Sequence, residues 1–464
     1  MTQPPVKVAK VRARERVVVH VDSPAARWIG ALAMLSMFCW LVVLLARHHH
    51  HSDWHAAGRL AWSVTILAAV ALIARGMFLG RPVTAAHASA AAAALLAGLG
   101  AHVLSFDLLG SVLIASSGLA LMWPTTAPPQ PEALPRVWQL VDATSDDPLA
   151  PFAMHAQKSY HFNADGTAAI AYRSRVGYAV VSGDPIGDET RFGQLVADFV
   201  AMCHARGWRI MVLGCSERRL ALWTEPAAIG QSFMRVPIGR DVVIDVTHFD
   251  MVGRKYRNLR QAVQRTRNCG ITTEVVAEQD LDDKLLAELT EVLYASHGGA
   301  RFERGFSMML DGALEGRYPG IRLIVARDRW GRVQGFHRYA VAGRGADVTL
   351  DVPWRRPGAP NGIDERLSVD MILESREAGA QRLSLAFAAF PELFQSRERN
   401  WIQSVFHTLI HFLDPLIALE SLYRYLRKFQ SLGARRYALV SVQHVPAALF
   451  VLLSLEFMPH RRRL

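Results

Sequence analysis

Cysteine is scarce in this chain of 464 residues, and the four that occur are too far apart for a zinc site or a disulfide scaffold. They are Cys39, Cys203, Cys215 and Cys269, which show neither CxxC nor Cys/His ligand spacing. The sequence also lacks a phosphate-binding P-loop and an HExxH motif. These absences exclude a small secreted protein held by disulfides. The run His48–His51 could bind a metal ion, but a polar exposed turn is the favoured interpretation, so we expect no bound metal ion.

Charged residues are few between positions 28 and 123, where only six occur: Arg47, Asp53, Arg59, Arg75, Arg81 and Asp107. This charge density is too low for a surface in water. Apolar runs at 28–46, 60–79, 83–106 and 108–123 are compatible with crossing a hydrocarbon core of about 30 Å. We therefore predict a helical transmembrane bundle with about four spans. A cleaved signal peptide is the alternative for the first run, but no small-residue cleavage site follows it.

Acidic residues are outnumbered, with 41 Asp and Glu against 52 Lys and Arg, which gives a formal net charge of +11. Basic residues near membrane spans remain on the cytoplasmic side. The leader at 1–27 carries six of them, at Lys7, Lys10, Arg12, Arg14, Arg16 and Arg27. An even number of spans returns the chain to that side, so we predict a multi-pass protein of the inner (plasma) membrane whose residues after 123 lie in the cytoplasm.

The remainder of the chain predicts an α/β fold. Five prolines make residues 124–136 an extended linker. Strand-like runs at 168–173, 178–181, 210–213, 321–327, 333–340, 346–352 and 383–386 then alternate with helical patterns at 191–206 and 367–378. Two successive α/β units, at 137–250 and 269–464, account for this order most simply.

A basic segment at 251–268 connects the two units and contains the sequence GRKYRNLRQAVQRTRN. Six of these residues are Lys or Arg and none is acidic. On a helix, Val252, Tyr256, Leu259 and Val263 would share one face and leave the bases on the others. An ordinary solvated helix would mix in acids, so the pattern favours a polyanion such as RNA phosphates or anionic lipid headgroups.

One glycine motif has two interpretations. The sequence Gly-Arg-Gly-Ala at 343–346 has some likeness to the pyrophosphate loop of acetyl-CoA enzymes, but it lies between two predicted strands instead of opening a helix. A hairpin turn is therefore the favoured interpretation.

Five passages together resemble the catalytic domain of the phosphatidylglycerol lysyltransferase family, also called multiple peptide resistance factors. They are GYAVVSGDPIGD at 177–188, GRKYRNLRQAV at 253–263, IVARDRWGRVQGF at 324–336, NGIDERLSVDMI at 361–372 and SLYRYLRKF at 421–429. The resemblance extends over roughly residues 137 to 445. It implies two GNAT-like lobes joined by a helix, and transfer of an amino acid from aminoacyl-tRNA to the glycerol hydroxyl of phosphatidylglycerol. No cofactor is implied besides the aminoacyl-tRNA co-substrate.

The chain departs from that family in two respects. Long members have a much larger membrane region that includes a flippase, whereas four spans are predicted here. The sequence LAFAAF at 385–390 stands where the family usually has a glycine-containing turn with a polar end. Two alternatives in other classes are a GNAT-like acyltransferase that uses acyl-CoA or another acceptor, and a non-catalytic membrane-binding module with a degenerate transferase fold.

Aminoacyl transfer needs a proton carrier, an oxyanion stabiliser and close positioning. Asp364, in the turn that begins at Asn361, is the first candidate for proton transfer or for binding the ammonium group of the amino acid. A helix N-cap is its alternative role. Asn361 either positions substrate or builds the turn. Lys428 and Arg424 share one helical face, where they could meet a phosphate or the developing oxyanion or could simply be solvated.

The basic segment supplies the other predicted contacts. Arg257, Arg260 and Lys255 are expected to bind the acceptor end of tRNA or a lipid phosphate. Asp184, in the sequence Gly-Asp-Pro-Ile-Gly, is a weaker substrate-binding candidate, because Asp in such a sequence more often builds a turn.

Overall fold

The structure is a computed structural model that describes residues 17–19, 24–48, 54–78, 82–224, 232–296, 310–389, 419–441 and 445–457. The chain divides into two compact units. The first contains residues 1–127 with two later segments, 174–179 and 200–210, and the second contains the remainder. The Arg461–Arg463 tail and the predicted leader, apart from 17–19 and 24–27, lie outside the described residues.

Four helices make up most of the first unit. They are α1 (Pro24–His48), α2 (Trp54–Phe78), α3 (Ala85–Val103) and α4 (Asp107–Leu121), and strand β1 (Val17–Val19) pairs with β2 (Val83–Thr84). Each of the four predicted apolar runs is thus helical. Within the described residues, α3 alone is long and apolar enough to cross a membrane, and the other three helices contribute shorter apolar stretches. Helices at the four predicted runs are confirmed, whereas the prediction that all four cross a membrane is supported only for α3 by length and composition.

Glycines allow these helices to pack closely. A side chain at Gly98 of α3 would meet the backbone of Gly110 on α4, and one at Gly118 of α4 would meet the backbone of Ala69 on α2. Large apolar side chains such as Leu96 and Leu108 are instead exposed on the outside of the unit. Small residues between helices and apolar residues outside are typical of helices that pack in lipid.

A mixed sheet of twelve strands forms the centre of the α/β part. The strands are β3 (Ser159–Phe162), β4 (Ala168–Arg175), β5 (Tyr178–Ser182), β6 (Ile186–Gly187), β7 (Arg209–Ser216), β8 (Met234–Asp245), β9 (Thr272–Ala277), β10 (Ile321–Arg327), β11 (Val333–Ala342), β12 (Asp347–Arg355), β13 (Arg382–Ala389) and β14 (Leu432–Val440). Their order is β3-β4-β5-β7-β14-β8-β13-β12-β11-β10-β9, and β6 pairs with β4. Strand β14 therefore lies between β7 and β8, although residues 269–464 and 137–250 were assigned to different lobes. The lobe boundaries remain a prediction.

Eight further helices accompany the sheet in the described residues. They are α5 (Leu134–Ala143), α6 (Phe192–Ala205), α7 (Leu220–Thr224), α8 (Arg257–Asn268), α9 (Asp283–Ser296), α10 (Ile363–Glu377), α11 (Leu419–Arg427) and α12 (Val445–Phe457). Pro135 occupies the first turn of α5, where its missing N–H costs nothing. The predicted helices at 191–206, 251–268 and 367–378 correspond to α6, α8 and α10.

One hydrophobic core fixes three of these helices on the sheet. Leu259 of α8, Leu367 of α10 and Leu426 of α11 pack together with Ile244 of β8 and Leu383 of β13, and all five are buried. Burial of each such side chain contributes about 1.5–3 kcal/mol, and the result is a fixed position for the first turn of α10.

A buried arginine links four segments elsewhere in the sheet. Arg436 of β14 donates from Nη2 to Asp147 at 2.7 Å, from Nη1 to Asp184 at 3.2 Å and from Nε to Asp241 at 2.9 Å. Burial raises the pKa of Asp241 to about 6 even though Arg436 opposes the shift. Burial and the charge of Asp147 also raise the pKa of Asp184. One cation thus serves three carboxyl groups, and burial makes the charged forms of Asp241 and Asp184 less favourable than they are in water.

Replacing Asp241 with Asn should therefore change how stability depends on pH. The raised pKa of Asp241 means that its contribution to stability is present near pH 4 and is lost as pH rises through about 6. The Asp241→Asn variant has no carboxyl group to ionise, so its melting temperature should exceed that of wild type by roughly 5 °C at pH 7.5 and converge near pH 4. Melting curves across this range, with the exposed Asp280→Asn as control, measure the effect. Parallel pH profiles for wild type and Asp241→Asn would contradict the assignment.

Candidate active site

The candidate site is built around the beginning of α10. Gly362 precedes this helix with φ of +102°, which is the left-handed region that favours glycine. A Cβ atom at Gly362 would lie 2.8 Å from the carbonyl oxygen of Ala262 on α8. Glycine therefore lets α10 begin directly against the basic helix. Asn361 is exposed just before this point, as expected for a turn residue.

Asp364 lies in the first turn of α10 and has two charged or polar neighbours. Its Oδ1 lies 3.3 Å from Nε2 of His337, and its Oδ2 forms an ion pair with Arg355 Nη1 at 3.1 Å. Burial acts to raise the pKa of Asp364, but the His337 hydrogen bond and the charges of Arg355 and Lys428 outweigh it, and the pKa falls below its ordinary value. Asp364 is therefore a carboxylate at neutral pH. Its alternative role as N-cap is not observed, because Gly362 occupies that position.

A buried polar network lies behind Asp364. His337 Nδ1 is 3.4 Å from the Tyr339 hydroxyl and 3.5 Å from Ser368 Oγ. Ser368 in turn contacts the hydroxyl of Tyr425. Burial raises the pKa of both phenols, so Tyr339 and Tyr425 remain protonated. A chain of hydrogen-bonding groups thus extends from Asp364 through His337 to Ser368 and Tyr425.

Lys428 is brought to the same turn. Its Nζ donates a hydrogen bond to the buried carboxylate of Glu365, the residue after Asp364, while about a third of the Lys428 side chain remains exposed. Arg424 is exposed on α11, one helical turn before Lys428. The structure therefore brings Asp364, Lys428 and Asn361 to one region, with Arg424 on the adjoining helix.

The predicted contacts of the basic helix differ from one another. Arg257 and Lys255 are exposed, and Lys255 lies 4.9 Å from the centre of the Tyr256 ring. Arg260 instead donates hydrogen bonds to the carbonyl oxygens of Met251 and Gly253, the latter at 2.8 Å. Because its guanidinium closes the loop before α8, Arg260 is less available to a ligand than Arg257.

Asp184 lies apart from these residues. It is buried in the Arg436 cluster, where its Oδ1 accepts a hydrogen bond from the Ser216 N–H at 3.0 Å. This position favours the structural interpretation of Asp184. The motif at 343–346 forms the turn between β11 and β12, so the hairpin interpretation is confirmed. Within the described ranges, no three His, Cys, Asp or Glu side chains are grouped to hold a metal ion.

Sequence reasoning missed His337, Tyr339, Ser368, Tyr425 and Arg355. His337 and Tyr339 alternate along β11, so they point to the same face of the sheet. The two polar rings with a period of two were the available signal, although β11 also contains Gln334 and Arg338. Asp364, His337, Arg355 and Lys428 thus provide a carboxylate, a histidine and two cations around one exposed turn. Such a set is suited to binding an ammonium group and stabilising an oxyanion.

A backbone irregularity occurs in β13. The pairing of β13 with β8 shifts between Ser384 and Phe387, which makes a bulge. Ala386 lies in this bulge with φ of +62°, and its N–H donates to Ser384 Oγ at 3.0 Å. Alanine here adopts a backbone conformation that glycine would adopt with less strain.

Comparisons with known proteins agree with this architecture. The MprF-like domain protein Rv1619 of Mycobacterium tuberculosis is 68% identical over 457 residues, which cover 98% of this chain and 94% of that protein. The lysylphosphatidylglycerol biosynthesis bifunctional protein LysX of Rhodococcus jostii is 32% identical over 298 residues, or 63% of this chain and only 26% of LysX.

Two solved structures share the fold. L-PGS from Bacillus licheniformis has a TM-score of 0.60 at 19% identity and covers 72% of this chain and 98% of its own. The C-terminal domain of a putative lysylphosphatidylglycerol synthetase from Agrobacterium fabrum has a TM-score of 0.58 at 22% identity, with coverage of 70% and 98%. The family model described as phosphatidylglycerol lysyltransferase, C-terminal, matches residues 138–440. The chain belongs to this phosphatidylglycerol lysyltransferase C-terminal family.

Proposed function

We propose that the protein transfers an aminoacyl group from aminoacyl-tRNA to the hydroxyl of an anionic lipid such as phosphatidylglycerol. The observation that carries this proposal is the ionised Asp364 carboxylate, held by His337 and Arg355 beside Lys428 at the exposed beginning of α10. LysX and the Agrobacterium fabrum domain are both named for lysylphosphatidylglycerol, which agrees with an aminoacyl-lipid product.

The low pKa of Asp364 favours one of its two predicted roles. A carboxylate whose charged form is stabilised by Arg355 and Lys428 is a weak base. The same negative charge attracts the ammonium group of an aminoacyl ester. Asp364 therefore acts best as the anchor of the amino acid, and the buried His337 behind it fixes the orientation of the carboxylate.

The cations around Asp364 suit the remainder of the reaction. When the lipid hydroxyl attacks the ester carbonyl, negative charge develops on the carbonyl oxygen. Lys428 is partly exposed and held in place by Glu365, and Arg355 is half exposed beside Asp364. Either cation can stabilise the developing charge or the lipid phosphate. Arg424 and Asn361 are exposed at the edge of this group of residues, where they can orient the lipid acceptor.

The first unit anchors this activity in the membrane. We infer that α1–α4 all cross the bilayer, because their outer surfaces carry large exposed apolar side chains and their contacts use glycine. This places both the leader and the α/β part in the cytoplasm, where aminoacyl-tRNA is found.

Replacing Asp364 with Asn tests the site. The change keeps the shape of the side chain and removes the charge that would hold the ammonium group, an interaction of about 1.5–3 kcal/mol, so single-turnover transfer of labelled amino acid from tRNA to lipid should fall by roughly 10- to 100-fold. Thermal unfolding of the same samples checks the fold. Glu377→Gln at the far end of α10 is the matched control and should retain activity. Transfer by Asp364→Asn within a few-fold of wild type would remove Asp364 from the mechanism.

The basic helix predicts a salt-dependent interaction. Arg257, Arg265 and Arg267 form no ion pair with any described carboxylate, so their charges are available to phosphates. Binding of tRNA should weaken as salt rises, and the double variant Arg257→Gln/Arg265→Gln should lower the slope of log K against log salt by roughly 1.4–1.8. Arg191→Gln, which removes an arginine paired with Asp165, is the control. An unchanged slope in the double variant would identify α8 as an ordinary solvated helix.

Topology provides a separate test. A reporter enzyme fused after Pro135 should be active only on the cytoplasmic side, since four spans return the chain to the side of its basic leader. A fusion after Phe106, between α3 and α4, should give the opposite result and serves as the control. Activity of the Pro135 fusion on the outer side would exclude both the four-span arrangement and access of the site to tRNA.

A further inference from the structure

The exposed face of α8 is polar throughout. Its apolar residues, Leu259 and Val263, are buried in the core of the second unit. The residues that remain exposed are cations and amides: Arg257, Asn258, Arg260, Gln261, Gln264, Arg265, Arg267 and Asn268. The 12-residue helix is about 18 Å long. It presents arginines, which can bind phosphates, together with amides, which can hydrogen-bond to sugars and bases.

An exposed tryptophan lies on the turn between β10 and β11. Trp330 is 80% exposed, and the guanidinium of Arg329 lies 5.1 Å from its ring centre. The turn itself is well ordered by hydrogen bonds, because Asp328 Oδ1 accepts from the N–H groups of Trp330 at 2.9 Å and Arg332 at 3.0 Å. A rigid turn thus holds an indole ring in solvent, where the ring contributes little to the core.

The turn that carries Trp330 contacts the end of the basic helix and is connected through strand pairing to the candidate site. Thr272, just after α8, pairs with Arg327, and a Cβ at Gly270 would lie 3.3 Å from Arg329 Cβ. The end of α8 therefore contacts the turn that carries Trp330. On the next strands Gly335 pairs with Arg355, the residue bound to Asp364. Trp330 precedes Gly335 by five residues, a distance of at most about 17 Å.

We propose that Trp330 is a stacking platform for an unpaired base at the 3′ end of the donor RNA. In this arrangement the cations of α8 contact phosphates of the adjoining duplex. The inference rests on the proposed function, since it concerns the aminoacyl-tRNA that would deliver its ester to Asp364. Aromatic rings bind single-stranded nucleotides by stacking, and an arginine against the ring adds a cation–π contribution.

The surface favours RNA over a lipid bilayer. A helix that lies in a membrane interface turns its apolar face to the lipid. The apolar face of α8 is buried in the core instead, and Trp330 has arginines on both sides in the chain. Cations, amides and one aromatic ring are the groups that recognise phosphates and bases.

Binding of two labelled RNA hairpins to the full chain in neutral detergent tests the proposal. The hairpins share one stem, and one has a short unpaired 3′ end whereas the other is blunt. The Trp330→Ala variant should bind the hairpin with the unpaired end about ten- to a hundred-fold more weakly and the blunt hairpin as wild type does. Trp330→Phe should restore most of the affinity. Val252→Ala, which shortens an exposed apolar side chain before α8, should change neither.

Two results would overturn the proposal. One is equal affinity of wild type and Trp330→Ala for the hairpin with the unpaired end. The other is loss of binding to phosphatidylglycerol vesicles in Trp330→Ala with RNA affinity unchanged, which would make Trp330 a membrane anchor. Transfer assays separate this from the proposed function. If wild type transfers the amino acid and Trp330→Ala binds RNA normally, only the stacking proposal fails. If wild type prefers the unpaired end through Trp330 and transfers nothing, only the proposed chemistry fails.

Discussion

The interior of the sheet depends on the charge of Arg436. This residue lies on β14, and its three partners come from the segment after α5, the segment after β5 and strand β8. An arginine without these carboxylates would be buried and unpaired, at a cost of several kcal/mol. The cluster therefore joins distant parts of the chain at one point. It also favours the pairing of β14 with β8, because Asp241 lies on that strand.

The local elements could largely be predicted from the sequence, and their assembly could not. Apolar periodicity placed β10 at 321–327, as observed, and placed the helices of the first unit within a few residues. The position of β14 between β7 and β8 is set by contacts such as that of Arg436 with Asp147, which no local pattern contains. The two α/β lobes predicted along the chain thus contribute to one sheet. The strands that join them are far apart in the sequence, so local patterns could not predict their pairing.

The candidate site, too, could be predicted only in those parts that depend on local sequence. Asp364 was predicted because a turn and a helix start can be read locally, and the structure adds the partners that give it a low pKa. His337 was missed because no local pattern shows that it faces α10, and Arg355 because only folding brings it to α10. For Arg260, a count of charges could not reveal that its guanidinium donates to loop carbonyls before α8.

The place of β14 in the sheet has a consequence for biosynthesis. Strands β7 and β8 leave the ribosome long before Leu432, where β14 begins. The edge of each strand that pairs with β14 therefore remains unpaired until β14 is synthesised. Exposed edges of this kind readily pair with other chains. Domains generally fold as units during synthesis, but here the centre of the sheet closes only when almost the entire chain is available. The nascent protein thus passes through an interval in which these unpaired strand edges must be protected from aggregation until β14 is synthesised.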